Sequence, residues 1–428
     1  MNVPALSTPL PDSTFALTLG LLLLAPLTIA GVALLNTGLG RSRSAAQSLL
    51  GCVTMVAVAA IAFALVGSSF AGEPAHTVTI AGKPWNWVGG APLFLRHFSA
   101  MAPQAQLGVL FEFLAVSFAA IIPWGSGADR WRLPAGCAAT AVLAGGVFPL
   151  VAHWVWADGW LAQLGTSFGL GMGFLDGAGA ASVHALGGLS ALGVVWIAGS
   201  RKGKFPKEGL ATAMPGHNTV YILFGCLLAM VGWLAWNAAG ALLWLHAAPV
   251  SLVATTLNTV LCASAALVAT FTVTRTRFGK PDASMCANGW LAGLVTSSAC
   301  ATIIYPFEAI AIGAVAGVSA PLLVEVLELA LSIDDPSGAI SVHAAGGLWG
   351  LLVAGLFSHG HGQLLAQLVG IATLLGFVFP LVYLLFSIVN RIIPFRVEAD
   401  GERLGMDLHE LGGGAYPEFV IHRDESYR

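Results

Sequence analysis

Apolar stretches separated by short polar breaks recur along the whole chain. A helix rising about 1.5 Å per residue needs about 20 such residues to cross a bilayer's hydrocarbon core. Eleven runs meet that length, over residues 13–37, 46–72, 104–124, 134–158, 178–200, 217–246, 252–274, 285–303, 304–331, 339–358 and 364–394. Tyr305 and Pro306 are the only clear break between the eighth and the ninth. The first run lacks the basic segment that precedes a secretory signal, and the chain stays apolar after it. It reads as a span, with a cleaved signal as the alternative.

Composition agrees with this pattern. Of 428 residues, 57% are hydrophobic and 9% charged, against about 25% charged in a soluble domain. The expected class is an all-α integral membrane protein, multi-pass in the cell membrane. Sixteen of the eighteen Lys and Arg residues follow odd-numbered spans, and only Lys83 and Arg96 fall on the other side. Because basic residues are held on the cytoplasmic face, the N-terminus is expected outside and the C-terminus inside. The six cysteines are scattered without a CxxC pair and read as packing residues. A net charge of −3 and the lack of a phosphate-binding glycine loop point away from nucleic acid and from soluble-enzyme chemistry. No cofactor is implied.

Within these runs one segment recurs. "SVHALGGL" (182–189) lies in the fifth span and "SVHAAGGL" (341–348) in the tenth, and each histidine follows an aspartate by eight residues, Asp176 before His184 and Asp335 before His343. Two halves of five spans each must be inverted relative to one another, as in transporters whose sites lie at the repeat interface. The first repeat is placed at 13–200, the second at 217–358 and an eleventh helix at 364–394. Together they form a membrane domain over 1–395, with a tail at 396–428.

On crossing helices, His184 and His343 would meet near mid-membrane, with small neighbours allowing close approach. Polar groups in hydrocarbon are costly and tend to mark pathways, which favours a pore-lining pair over a merely hydrogen-bonded one. Two imidazoles in series can donate, accept and take up a proton near neutral pH. They are too few ligands for zinc, and His153 has no partner spacing that would make it a third, so no metal is expected. Trp156 and Trp236 could offer π faces to a cation, whereas Trp85, Trp87 and Trp160 read as interfacial belt residues.

"FPLVAHWVWADGWL", "FLDGAGAASVHALGGLSALG", "MPGHNTVYILFG", "GWLAWNAAGA", "IDDPSGAISVHAAGGLWGLLVAG", "RVEADGERLGMDLHE" and "GAYPEF" together make the chain resemble the ammonium transporter (Amt/Mep/Rh) family over nearly its whole length. The resemblance implies a homotrimer of eleven-helix subunits, each with a narrow pore that deprotonates ammonium on passage. It gives His184 and His343 as the twin pore histidines, Asp176 as the aspartate shaping the outer site, Trp156 as the vestibule tryptophan and Phe111 as the first of two gate phenylalanines. Trp233, Asn237 and Asp335 fall on motif positions with structural roles. Capping of the fifth span is a compatible second role for Asp176. A PII-type regulatory protein is implied as a partner for the loop Gly199–Gly209 and for the tail around "GMDLHE".

The sequence departs from the family pattern at several points. The second gate phenylalanine is Ala115 and its stacking partner is Trp236, a polar position becomes Glu112, the cation-holding serine becomes Gly240, and a second loop acid becomes Gly338. Glu112 is expected on the pore side, because a lipid-facing acid is expensive. Transport of ammonium is the expected function, and a receptor of the same fold with little flux is the alternative. A channel for neutral gases and a membrane enzyme come behind, the latter because no third catalytic residue accompanies the histidines.

Overall fold

The computed structural model describes residues 10–358 and 360–416, so residues 417–428 of the expected tail, with the end of "GAYPEF", lie outside the described residues. Among the described residues, ten helices are long and apolar enough to span: Asp12–Leu39, Ser42–Ala71, Pro103–Ser126, Leu133–Trp156, Ala180–Ala198, Thr219–Leu243, Ser251–Phe278, Pro306–Ala330, Ile340–Phe357 and Gln363–Ile392. An eleventh, Ala283–Cys300, is the expected eighth span. It is less apolar because it buries Thr296, Ser297 and Ser298 inside the bundle, where protein partners replace lipid. The break before the ninth span is fixed by Glu308, whose carboxylate accepts from the Tyr305 amide at 2.7 Å. Hydroxyls within spans are mostly returned to their own helix, as in Thr37 to the Ala33 carbonyl and Ser190 to the Leu186 carbonyl, both at 2.8 Å.

Connections alternate between two faces. One carries an antiparallel hairpin, β1 (Thr77–Ile80) and β2 (Lys83–Asn86), turned at Ala81 and Gly82. Both turn residues have positive φ, as a tight hairpin turn requires. The opposite face carries the C-terminal tail. There, Asp407 accepts from the backbone amides of Ala46 and Gln47 at 3.1 and 2.7 Å, and Glu410 accepts from that of Leu133 at 3.0 Å. Two tail carboxylates thus take up free amides where the second and fourth spans begin, as side-chain caps and the helix dipole favour. Glu402 accepts from the Lys202 amide and from Arg396.

A buried ion cluster ties three loops of the tail face together. The Arg201 guanidinium lies between Asp129, at 3.1 Å, and Asp334, at 2.9 Å, and Arg130 donates to the carbonyls of Gly199 and Asp334. Burial alone would push the Asp334 carboxyl up. The neighbouring Arg130 and Arg201 prevail and hold it at about 2.

The fifth and tenth spans each open with a π-helical turn, Ala180–Ala185 and Ile340–Ala345, containing the repeated histidine. Their crossing is at backbone contact. A Cβ on Gly188 would lie 2.2 Å from the Ala344 nitrogen, and one on Gly347 would lie 2.6 Å from the Ala180 oxygen. These glycines hold equivalent places, four residues after each histidine, so the duplicated sequence builds one two-sided crossing.

Candidate functional site

At this crossing, His184 and His343 are buried and their Nδ1 atoms lie 3.3 Å apart. One ring therefore donates to the other, and the buried His184 Nε2 has no protein partner among the described residues. The aspartates set up each turn. Asp176 accepts from the amides of Ala181 and Ser182 and from the Ser182 hydroxyl, at 2.9–3.1 Å. Asp335 accepts from the Ile340 amide at 2.8 Å and the Ser126 hydroxyl at 2.7 Å. Capping is thus the contact both make, and Asp176 keeps a second buried oxygen, Oδ1, without a partner among the described residues.

The histidines are held by aromatic rings. Trp233 stacks on His184 with centroids 5.0 Å apart and planes 15° apart, and Phe118 meets both imidazoles edge-on, at 5.1 and 6.1 Å. The Trp233 indole donates to Ser298, which donates to Asn237, while the Asn237 amide donates to Thr259 and Ser297. Asn237 and Trp233 are therefore joined in one hydrogen-bond network, with the wall of His184 at its end.

Toward the hairpin face, four rings pack against one another. Phe111 stacks on Trp236 at 4.2 Å and meets Trp156 edge-on at 5.4 Å, and Trp156 stacks on Trp244 at 5.2 Å. The indoles of Trp156 and Trp236 both donate to the loop after the fourth span, to the carbonyls of Asp176 and Ala178 at 2.7 Å. Gly240 explains the missing serine, since a Cβ there would lie 2.2 Å from the Gly177 oxygen. At Gly338, φ is +68° and a Cβ would press on the Asn288 side chain, so a side chain there would be strained. Glu112 is buried without a hydrogen bond or ion pair to the described residues. It is turned about 100° around its helix from Phe111.

A profile of the Ammonium Transporter Family matches residues 15–416. The chain belongs to that family.

Relatives of this ammonium transporter family member include the ammonium transporter Amt2 of Archaeoglobus fulgidus, 32% identical over 97% of this chain and 90% of that protein. The ammonium transporter of Bacillus subtilis is 30% identical over 92% of this chain and 96% of its own length. Among solved structures, a Sensor Amt Protein is similar with a TM-score of 0.83 and 26% identity, covering 92% of this chain and 97% of that one. Candida albicans Mep2, with a TM-score of 0.77 and 22% identity over 93% of this chain and 89% of its own, shares the fold. Membership establishes a multi-pass membrane protein and sets aside the enzyme reading.

Sequence reasoning missed Phe118, Trp244 and Ser298. Phe118 follows Phe111 by seven residues and Trp244 follows Trp236 by eight. Both spacings return to one helix face after about two turns, a usable signal. Ser298 had none, because its role depends on which helix lies opposite.

Proposed function

We propose that the chain carries ammonium across the cell membrane, with ammonium deprotonated on the way and His184 and His343 as the proton-relay pair. The observation carrying this reading is the buried 3.3 Å contact between the two imidazoles, closed by rings on one side and set in apolar surroundings at the crossing of the two repeats. Moving a unit charge into such surroundings is costly, so the neutral molecule passes while the proton is handed to the pair. Potassium cannot deprotonate and is rejected. Phe111, Trp156, Trp236 and Asp176 form the vestibule, and Glu112 is a buried acid on the helix that carries Phe111. Trp233, Asn237 and Asp335 hold the frame. The hairpin face is the outside and the tail face the cytoplasm, in keeping with the basic residues. The working unit is a homotrimer, and residues 396–428 form a regulatory tail. The exposed Lys202 and Lys207 of the neighbouring loop suit a cytoplasmic PII-type partner.

A receptor with little flux is the second reading. The mutual covering of Trp156 and Trp244 and the likeness to a Sensor Amt Protein favour it. The deciding experiment is the transient current of proteoliposomes on an ammonium jump, wild type beside His184→Ala, with potassium as control. Transport predicts a current evoked by ammonium alone that is lost, or loses its selectivity, in the variant. Binding of ammonium with neither current nor internal pH change would replace transport by the receptor.

A further inference from the structure

The fourth and sixth spans end in the same way beside the vestibule. In each, an amide shortly past the helix, three residues on in one and four in the other, reaches back to the carbonyl six residues earlier, Gly159 to His153 at 3.0 Å and Ala247 to Ala241 at 2.9 Å. The residue just before that amide is left-handed in each, a conformation ordinarily supplied by glycine. Here those residues are Asp158, with φ 52°, and His246, with φ 48°, two of the types that tolerate this region best.

Asp158 lies two residues beyond Trp156 and His246 two beyond Trp244, and these indoles stack at 5.2 Å. The two caps are therefore brought to one rim. Asn86 of β2 donates to the Asp158 carbonyl at 3.1 Å and fixes one side. Leu245 packs on Gly177, next to Asp176, and fixes the other. Both titratable side chains are partly exposed, and they make neither an ion pair nor a hydrogen bond with each other.

We propose that Asp158 and His246 form a cation-entry site at the vestibule rim, where the carboxylate gathers ammonium or methylammonium and the protonated imidazole competes with that cation. The site rests on the reading of the hairpin face as the side where ammonium enters. Burial pushes the Asp158 carboxyl up and the His246 imidazole down. Each partly offsets the other's shift, and neither feels another resolved charge from the elements packed around the rim. At neutral pH the carboxylate is ionised and the imidazole neutral, so the rim is negative. On acidification, His246 gains its proton and the rim loses its attraction.

The test is the half-saturating ammonium concentration of the current in proteoliposomes at pH 5.5 and 7.5. Wild type is compared with Asp158→Asn and His246→Asn, which keep residues that accept left-handed backbone. Asp158→Asn should raise half-saturation at pH 7.5 by up to about fivefold, the scale of an exposed charge interaction, and 1 M salt should erase the difference. His246→Asn should lower half-saturation at pH 5.5 and flatten the dependence on pH. Equal half-saturation in Asp158→Asn and wild type, with wild type conducting, overturns the rim site and leaves transport standing. If wild type carries no current, the same comparison is made on ammonium binding by tryptophan fluorescence. There an affinity shift in Asp158→Asn supports the rim site under the receptor reading, and no shift overturns it.

Discussion

Restoring the family's serine at position 240 looks, by sequence, like the repair of a lost cation ligand. The structure predicts the opposite outcome for Gly240→Ser. Its Cβ would stand 2.2 Å from the Gly177 oxygen, 3.0 Å from the Ala178 Cβ and 3.1 Å from the Ala178 Cα. Non-bonded heavy atoms are at ease near about 3.5 Å, so the Gly177 carbonyl must retreat by roughly 1 Å. That segment accepts the Trp236 indole at Ala178 and is anchored by the Ala178 amide to the Ser298 carbonyl at 3.0 Å, so it cannot move alone. Overpacking of this kind costs about 1–3 kcal/mol, and the displacement would pass to Trp236 and its stack with Phe111. Thermal unfolding of the detergent-solubilised protein and ammonium current in proteoliposomes read the two effects. Gly240→Ser should be less stable than wild type and carry less current. A variant of wild-type stability with a lower half-saturating ammonium concentration would refute the steric argument and return the position to simple cation binding.

Two further outcomes follow from the buried polar groups. Ser298→Ala removes the acceptor of the buried Trp233 indole and the donor to Asn237, which should cost about 1–3 kcal/mol and loosen the ring against His184. Unchanged unfolding temperature and unchanged current would show that this bond does not hold the wall. Asp334→Asn leaves Arg130 and Arg201 short of a buried counter-charge and should destabilise the protein by about 3–5 kcal/mol. Because the folded-state pKa of Asp334 is lowered from 3.8 to about 2, its contribution of roughly 2 kcal/mol is complete above pH 4. It is lost as pH falls toward 2. Unfolding temperatures between pH 2 and 6 should show wild type losing much of its advantage over Asp334→Asn in that acidic window.

Much of this architecture is local in origin and therefore legible in one dimension. Span length depends only on bilayer thickness and helix rise, so the runs could be marked by counting, and the duplicated Asp and His segments exposed the inverted halves. Membership of the family, carried by linear motifs, was legible for the same reason. The eighth span shows where counting weakens: its serines and threonine make it marginally apolar, and only enclosure by other helices makes it stable. The sequence also marked His184, His343, Asp176, Trp156, Trp236 and Phe111, because repeats and motif spacing survive without coordinates.

What tertiary structure decided is who faces whom. Trp244 covers Trp156, Phe111 takes the stacking place beside Trp236, and Ser298 holds Trp233 against His184, all between segments far apart in the chain. Gly240 read as a missing ligand until the Gly177 carbonyl was seen to occupy its side-chain space. A sequence records which groups exist and how often they recur. Contact at 3 to 5 Å between separate helices depends on crossing geometry, and here that geometry is set by Gly188 and Gly347, where the two repeats touch backbone to backbone.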